Sequence, residues 1–278
     1  MSHYLSPKNH FFAFRELLSL LIRNRQLTLE MAKREISERY MGQILGTFWT
    51  IGHPLFIMAI FVFIFAYVFK IKTSGALPLQ MDYTTYMLSG LIPWMCFQES
   101  IQKGVIVILA NTNLVKQVVF PIEILPVKGV LASMVSMLLM FSILIVYVLV
   151  THHNLPYTYA FLPILVIFQL LAMVGICFLL SSVGTYFRDL KDVVQVFSFA
   201  GLYMIPIFYV PEQVPESLRP LLYANPISYM IWCYQDVLYY GRFEHWWAWP
   251  IFMFSSVVIF YLGYRVFKKL KIMFGNVL

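Results

Sequence analysis

The chain has 278 residues, of which 60% are hydrophobic and 12% are charged, and its formal net charge is +7. Soluble domains carry about 25% charged residues, so this composition excludes an ordinary soluble domain and indicates a membrane protein. No basic motif interleaved with aromatic residues accompanies the positive charge, which excludes a nucleic-acid partner.

The first 43 residues are predicted to form an amphipathic segment at the cytoplasmic surface of the membrane. Apolar residues recur every three or four positions at 11–22 and again at 28–41, which is the spacing of one helix face. We expect these helices to lie flat, with their apolar side in the headgroup region. In the second helix the residues along this side are Leu29, Ala32, Ile36 and Tyr40.

Two pairs of opposite charge follow the i,i+4 spacing that stabilises a helix, Glu30 with Arg34 and Glu35 with Arg39. One interpretation of this segment is a simple membrane anchor. The other is a lever that contacts a cytoplasmic partner and admits a charged lipid headgroup, with a hinge where glycine and proline weaken the helix. The headgroup and gate residues of the second interpretation are Arg34, Arg39, Tyr40, Gly46, Trp49 and Pro54.

Six apolar stretches approach the roughly 20 residues that a helix needs to cross a bilayer. The second contains the polar run FQESIQK, which we expect to face protein or a wet cavity instead of lipid. The fifth is short and contains Pro206, which we expect to kink it. The predicted spans are 48–69, 86–109, 129–150, 159–183, 193–210 and 246–267.

The distribution of lysine and arginine predicts the orientation. Of the 20 such residues, only Lys70, Lys72, Arg219 and Arg242 fall on one side, which leaves 16 on the side of the N-terminus. Positive charge accumulates on the cytoplasmic side, so both termini are predicted to be cytoplasmic. The six-span region is then 44–268, followed by a cytoplasmic tail at 269–278.

Two cytoplasmic connections stand out. LVKQVVFPIEIL, within 110–128, is more apolar than a solvated loop, which suits burial in a groove of a partner protein or packing on the chain's own spans. TYFRDLKD holds alternating charges that suit an ion-pair cluster, a phosphate contact by Arg188 or a solvated cap. The cluster residues are Arg188, Asp189, Lys191 and Asp192.

Residues 211–245 are too apolar for an ordinary loop and too interrupted for a span. Asn225-Pro226 begins a helical pattern, and we expect such helices to dip into the outer leaflet and return. Asp236, Arg219 and Glu216 are expected near the outer rim. His152 and His153 lie in a short outer loop with no carboxylate nearby in the sequence, which argues against a metal site.

Several stretches together resemble the permeases of bacterial type-2 ABC exporters, and most closely those that export lipid-linked polysaccharides. RYMGQILGTFWTIGHPL resembles the family's segment at the first span, and LSGLIPWMCFQES resembles its second. NTNLVKQVVFPIEILPV and FRDLKD resemble two of its cytoplasmic connections, the latter as in the O-antigen and teichoic acid branches. The resemblance extends from about Phe14 to Lys271.

The resemblance implies an all-α inner-membrane protein with an N-terminal interface helix, six transmembrane helices and re-entrant helices at 211–245. It implies a homodimer that works with two copies of a separate ABC ATPase, which binds the ATP and magnesium that this chain does not. In the family the cytoplasmic segment after the second span is the coupling helix. The matching residues here are Leu114, Lys116, Phe120 and Pro121.

The cargo implied is an undecaprenyl-type lipid-linked polysaccharide, most closely O-antigen, with capsule and teichoic acid as alternatives. The aromatic content of 18% agrees with a glycan path, because sugars stack their C–H faces on aromatic rings. Candidate path residues are Phe56, Trp94, Tyr203, Phe208 and Tyr209.

Other classes of function are considered beside this one. The chain has no Gly-rich phosphate loop, so an ATPase partner is required. A small-molecule drug exporter would need neither the aromatic excess nor the basic N-terminal segment. A membrane glycosyl- or phosphotransferase would need convergent acids or a metal cluster, whereas the 13 acidic residues are scattered.

Overall fold

The structure, a computed structural model, describes residues 19–20, 22–38, 46–68, 81–117 and 120–277. Its secondary structure is helical throughout this part of the chain, without a strand, which confirms the predicted all-α class. The helices are α1 Arg25–Glu38, α2 Trp49–Val62, α3 Tyr83–Ala110, α4 Thr112–Gln117, α5 Ile124–His152, α6 Leu162–Tyr186, α7 Leu190–Met204, α8 Arg219–Ala224, α9 Pro226–Gln235, α10 Ala248–Leu270 and α11 Phe274–Val277. Helix α2 continues into a π-helical turn at Phe63–Val68, and α9 into another at Asp236–Tyr240.

Within the described residues, three helices are long and apolar enough to cross a bilayer. They are Ile124–His152, Tyr157–Tyr186 and Ala248–Met273, with 29, 30 and 26 residues. They coincide with the third, fourth and sixth predicted spans. Helices α2, α3 and α7 lie at the other three, so the six-span arrangement and the re-entrant helices remain predictions.

The helix at the fifth predicted span is shorter than the apolar stretch that contains it. Helix α7 has 15 residues and ends at Met204, two residues before Pro206. The expected kink at Pro206 is therefore wrong, because the helix has already ended there. A proline disfavours helical backbone in the residue before it, and Ile205 is accordingly extended, with φ −117° and ψ 152°.

The central helix α6 approaches α3 and α10 so closely that their contacts involve backbone. A Cβ atom on Gly175 of α6 would lie 2.4 Å from the Cα of Phe260, and one on Gly263 of α10 would lie 1.9 Å from the carbonyl oxygen of Gly175. On the α3 side, a Cβ on Gly184 would lie 2.3 Å from the carbonyl oxygen of Val105. Small residues let membrane helices pack at this distance where lipid provides no hydrophobic drive for association.

A buried polar side chain joins three of the helices. The Gln169 amide of α6 donates a hydrogen bond to the carbonyl oxygen of Pro93 in α3 (3.0 Å), and its carbonyl accepts one from the Tyr234 hydroxyl of α9 (2.6 Å). Both hydrogen bonds are buried, and an unpaired amide is costly in such an interior. The network therefore favours the relative positions of the three helices in which Gln169 keeps both partners.

At the start of α3, Asp82 connects to the end of α5. It accepts hydrogen bonds from Tyr147 (2.9 Å) and Thr85 (2.7 Å), and it lies 2.9 Å from Nε2 of His152. Burial raises the pKa of Asp82, but the bonds from His152, Thr85 and Tyr147 outweigh it and hold the pKa below its ordinary value. The expectation that His152 has no carboxylate nearby is wrong, because the fold brings in a residue from a distant part of the chain.

We expect Gly263→Ala to destabilise the protein, because the new methyl group must push α10 away from the backbone of α6. Overpacking of this kind costs about 1–3 kcal/mol. The measurement is thermal unfolding of the purified chain in detergent. Gly129→Ala in α5 is the matched control, since a Cβ atom added there would have nothing within 4 Å, and it should unfold like the wild type. Equal stabilities of the two variants would contradict the α6–α10 contact.

Candidate functional site

A cavity of about 330 Å³, here called the polar cavity, lies between α2, α3, α5 and α7. Its polar lining residues include His53, Gln98, Glu99 and Gln102. The last three belong to FQESIQK, so the expectation that this turn of α3 faces a cavity is confirmed. Amide and carboxylate groups in the middle of an apolar bundle are costly unless they meet polar partners, which makes the polar cavity the leading candidate site.

Aromatic side chains border the polar cavity. Trp94 of α3 lines it, is fully buried and stacks on Phe97 with ring centroids 5.6 Å apart. Phe61 of α2 also lines it and stacks on Phe208 at 5.7 Å, and Phe208 lies 6.0 Å from Tyr203.

The predicted path residues therefore divide into two groups. Trp94 lines the polar cavity and Phe208 reaches it through Phe61, while the Tyr209 hydroxyl donates a hydrogen bond to the carbonyl oxygen of Tyr203 (3.0 Å). Phe56 lies apart from them, 67% exposed on the surface of α2. The path itself remains a prediction.

Four charged residues form what we call the inner charge cluster, at the ends of α1, α3 and α5 that the charge distribution predicts to be cytoplasmic. Glu35 of α1 lies 3.1 Å from Lys128 of α5 and 3.9 Å from Lys103 of α3, and Lys103 lies 2.9 Å from Glu99. Lys128 is buried. These ion pairs, largely shielded from water, attach α1 to the helix bundle.

The cluster bears on two expectations about α1. Arg34 pairs with Glu38 (2.6 Å) on the exposed surface, and Glu35 pairs with α3 and α5. Leu29 is 62% exposed, whereas Thr28 and Ala32 are buried. Helix α1 therefore packs small residues against the bundle and leaves Leu29 uncovered, and the contact of its apolar side with the headgroup region remains a prediction.

Other predicted gate residues lie at the start of α2. Gly46 adopts φ +46°, a left-handed conformation that glycine allows, and Trp49 begins the helix. Pro54 is buried within α2 and lines the polar cavity. Arg39 and Tyr40 lie outside the described residues.

A second cavity, of about 260 Å³, adjoins the inner charge cluster. It is lined by charged and polar groups that include Glu35, Lys103, Asn111 and Lys128. Two lysines facing one cavity can bind an anion if that anion replaces the carboxylate that now neutralises them.

The predicted coupling residues follow α3. Leu114 and Lys116 lie on the short helix α4, and Phe120 and Pro121 lie just before α5. Leu114 and Phe120 pack partly against the hydrophobic core, while Lys116 is exposed. Nearby, the buried carboxylate of Glu123 pairs with Lys271 and so ties the end of this connection to the C-terminal turns. The segment thus has a packed side and a charged side.

The loop between α6 and α7 is exposed. Arg188, Asp189, Lys191 and Asp192 are all accessible to solvent, and the described structure contains no ion pair among them within 4 Å. Asp189 precedes the first residue of α7, and Asp192 lies in its first turn, where the helix dipole favours negative charge. An anion contact by Arg188 remains a prediction.

Comparison with known proteins identifies the family. The profile described as "ABC-2 type transporter" matches residues 26–239, which include the polar cavity and the inner charge cluster. The chain belongs to this family.

The relatives of this ABC-2 type transporter chain are named for polysaccharide export. It is 25% identical over 253 residues to the O-antigen export system permease protein RfbA of Klebsiella pneumoniae, covering 91% of this chain and 95% of that protein. It is 26% identical over 257 residues to the RfbA protein of Myxococcus xanthus, with the same coverages. It is also 24% identical over 220 residues to the capsule polysaccharide export inner-membrane protein CtrC of Neisseria meningitidis, covering 76% of this chain and 78% of that protein.

Sequence reasoning about this ABC-2 type transporter chain overlooked several site residues. The i,i+4 spacing pairs Glu35 with Arg39 of the same predicted helix, and Lys103 and Lys128 contribute to the sequence pattern only through the charge count. Phe61 was not singled out, because one phenylalanine among many apolar residues carries no distinguishing signal. For Gln98 and Gln102 the signal was present, since both interrupt an apolar span.

We expect Glu35→Gln to destabilise the junction of α1 with the bundle, because it removes the carboxylate nearest to the buried Lys128. The cost should be about 1–3 kcal/mol, below that of a fully buried pair, because Glu35 is partly exposed. Glu38→Gln is the control, since its partner Arg34 is 76% exposed and exposed pairs contribute little. Thermal unfolding in detergent measures both variants.

A second change tests the cause. Glu35→Gln combined with Lys128→Met removes both charges and should recover part of the lost stability. If Glu35→Gln matched Glu38→Gln, the inner charge cluster would not hold α1.

Proposed function

We propose that this chain is the permease subunit of an ABC exporter that moves an undecaprenyl-type lipid-linked polysaccharide, most closely of the O-antigen class, across the bacterial inner membrane. A separate ATPase subunit provides the energy. The family match and the names of the relatives support polysaccharide export. The observation that carries the proposal is the polar cavity, which combines glutamines, a carboxylate and aromatic rings within an apolar bundle.

The chemistry of the polar cavity suits a sugar chain. The amides of Gln98 and Gln102 both donate and accept hydrogen bonds, so they match hydroxyl groups of either orientation. Phe61 offers a flat apolar surface for the C–H faces of pyranose rings, and the buried Trp94 forms the wall of the cavity beside it. A path for a small lipophilic drug would not require this density of hydrogen-bonding groups.

The inner charge cluster suits the lipid pyrophosphate. In the proposed mechanism the pyrophosphate displaces Glu35 from Lys103 and Lys128, which frees α1 from the bundle while the headgroup is bound. Arg34, Arg39 and Tyr40 would contribute further contacts at the membrane surface, and the segment from Gly46 through Trp49 to Pro54 would let α2 move. The substrate would enter laterally between α2 and α7.

A second permease copy completes the proposed path. Helix α7 presents a row of apolar side chains that the described residues leave exposed. These are Val193, Val196, Phe197, Phe199, Tyr203 and Met204. In the proposed homodimer this face lies at the pore axis, with the helices of 211–245 re-entrant at its outer end. Two ATPase copies would dock on α4 and the residues up to Pro121.

Capsule polysaccharide is the second candidate cargo, because one relative is a capsule export protein. This cargo would differ in its glycan and would use the same cavity. The O-antigen class stands first because relatives of that name cover more of the chain at slightly higher identity.

The function is tested by the ATPase activity of this chain with its partner ATPase in nanodiscs, with and without an undecaprenyl-pyrophosphate-linked glycan. We expect the glycolipid to change the rate of hydrolysis. The double variant Gln98→Leu with Gln102→Leu should lose most of this response, because it removes the hydrogen-bonding groups of the polar cavity. Gln26→Leu, on the exposed surface of α1, is the matched control and should respond like the wild type.

Two outcomes would overturn the proposal. Indifference to the glycolipid, with a response to small amphiphiles, would indicate a drug exporter. Failure of the chain to associate with any ATPase would favour a membrane transferase.

Coupling is tested separately by Lys116→Glu combined with Phe120→Ala. We expect ATP hydrolysis to continue while glycan export falls, because the charged contact and the apolar contact with the ATPase are both removed. The measurement is the ratio of glycan exported to ATP hydrolysed in reconstituted vesicles. Lys269→Glu, a charge reversal at another exposed lysine, should leave the ratio unchanged. A wild-type ratio in the double variant would contradict the coupling assignment.

A further inference from the structure

A separate pocket of about 220 Å³ lies near the end of the chain's predicted outer segment. Three pieces of chain form it: the turn at Pro211–Gln213, helix α8 and the loop that follows the π-helical turn Asp236–Tyr240. It shares no lining residue with the polar cavity. We call it the outer pocket, and its lining includes Glu212, Tyr223, Tyr240, Glu244, His245 and Trp247.

A buried carboxylate holds one wall of the outer pocket in place. Asp236, one of the residues predicted near the outer rim, is fully buried. It accepts hydrogen bonds from the backbone N–H of His245 (3.0 Å) and from the indole of Trp249 (3.1 Å), and it lies 2.8 Å from Nδ1 of His245. The loop after Gly241 folds back over this residue and covers it. His245 is therefore fixed in position.

Aromatic packing fixes the neighbouring ring. The Trp247 ring meets Trp232 edge to face, with centroids 5.0 Å apart, and Tyr229 in the same way at 5.7 Å. His245 stacks nearly parallel on Trp232 at 5.7 Å and meets the Trp247 ring edge to face at 6.0 Å. Trp247 is only partly buried, so the outer pocket has a preorganised aromatic surface.

Several polar groups of the outer pocket have no hydrogen-bond partner among the residues that the structure describes. Tyr240 is only 9% exposed, and across the described residues its hydroxyl makes no hydrogen bond. The same holds, in that part of the chain, for the Tyr223 hydroxyl and the Trp247 indole N–H. None of these three groups is among the enclosed polar atoms that lack a partner. They are therefore open to the pocket and available to hydrogen-bond the hydroxyl groups of a ligand.

The electrostatics limit which ligand fits. Burial raises the pKa of Tyr240 above its ordinary value, and the negative charges of Glu212, Asp236 and Glu244 raise it further. The hydroxyl thus stays protonated and able to donate. Arg242 pairs with Glu244 (2.7 Å) and offsets part of this charge. The remaining negative potential disfavours phosphates and acidic sugars.

We propose that the outer pocket binds a neutral or amino-substituted sugar ring of the exported glycan. The ring stacks on Trp247, Tyr240 donates to one of its hydroxyls, and the Glu212 carboxylate accepts from others. The inference rests on the proposed function, since it takes the ligand to be the exported glycan.

Contacts connect the outer pocket to the outer end of the proposed path. Tyr240 packs edge to face on Tyr239 with centroids 4.9 Å apart, and Tyr239 packs on Tyr86 at 5.1 Å. The Tyr86 hydroxyl donates to the carbonyl oxygen of Tyr209 (2.9 Å), a predicted path residue. A sugar leaving the path would therefore pass close to the outer pocket, which would hold it on the outer side.

The test is saturation-transfer NMR on the full chain in nanodiscs, without ATPase. The probe is the envelope polysaccharide of the source organism, released from its lipid by mild acid. We expect transfer to the pyranose ring protons, reduced about three-fold or more by Trp247→Leu, since stacking on an indole contributes this much to binding. Trp246→Leu changes the adjacent indole, which is 71% exposed and outside the pocket, and should leave transfer unchanged.

Two conservative variants keep the test valid if Trp247→Leu fails to fold. Glu212→Gln removes one charge and Tyr240→Phe removes one hydroxyl, and each should reduce transfer. No transfer to the wild-type chain, or equal transfer to wild type and all three pocket variants, would overturn the proposal.

Failure of this proposal is distinguishable from failure of the proposed function. Sugar binding at the outer pocket without a glycolipid effect on ATP hydrolysis would support the sugar-binding site and reject the transport assignment. A glycolipid effect on ATP hydrolysis without sugar binding at the outer pocket would support the transport assignment and reject the outer pocket as a sugar site.

Discussion

The close contact of α6 with α3 on one side and α10 on the other is the constraint on which the rest of the structure depends. Gly175 and Gly263 bring α6 and α10 to backbone contact, and Gly184 does so for α6 and α3. In a bilayer, helices gain little from hiding apolar surface from lipid, so close packing and polar links must hold them together. Gln169 provides such a link to α3 and α9.

With one side of α3 held by α6, its polar residues face away from lipid. Gln98, Glu99 and Gln102 then border a cavity whose other walls are α2, α5 and α7. Charges anchor both ends of the same helix, Asp82 with His152 at one end and Lys103 with Glu35 at the other. Helix α3 thus joins two charged anchor points on either side of the polar cavity, so a change at either end reaches the cavity through one rigid helix.

The proposed path and the outer pocket treat a sugar in different ways. The polar cavity offers amides that accept either orientation of a hydroxyl, which suits a chain that must slide past. The outer pocket instead holds its aromatic surface rigidly through Asp236, His245 and Trp232, and its carboxylates discriminate against anions. A permissive path with a more selective outer contact would let a polymer move while disfavouring its return.

Much of the architecture could be predicted from residue order alone. Long apolar stretches determine where membrane helices form, because the bilayer leaves the backbone no other partner, and Asn225 caps α9 as its sequence suggests. The interruption of the second span by FQESIQK indicated a cavity for the same energetic reason. These features depend on neighbours within a few turns of one helix.

Only the tertiary structure decided which distant residues meet. Glu35 pairs with Lys103 and Lys128 of two other helices, and Asp82 meets His152 from 70 positions away. Asp236 is buried only because a later loop covers it. The sequence determined where the helices form and which residue types lie on each face of a helix. The packing of α6 against its neighbours determined the sites, because ion pairs, stacking and burial depend on distances between residues that are far apart in the chain.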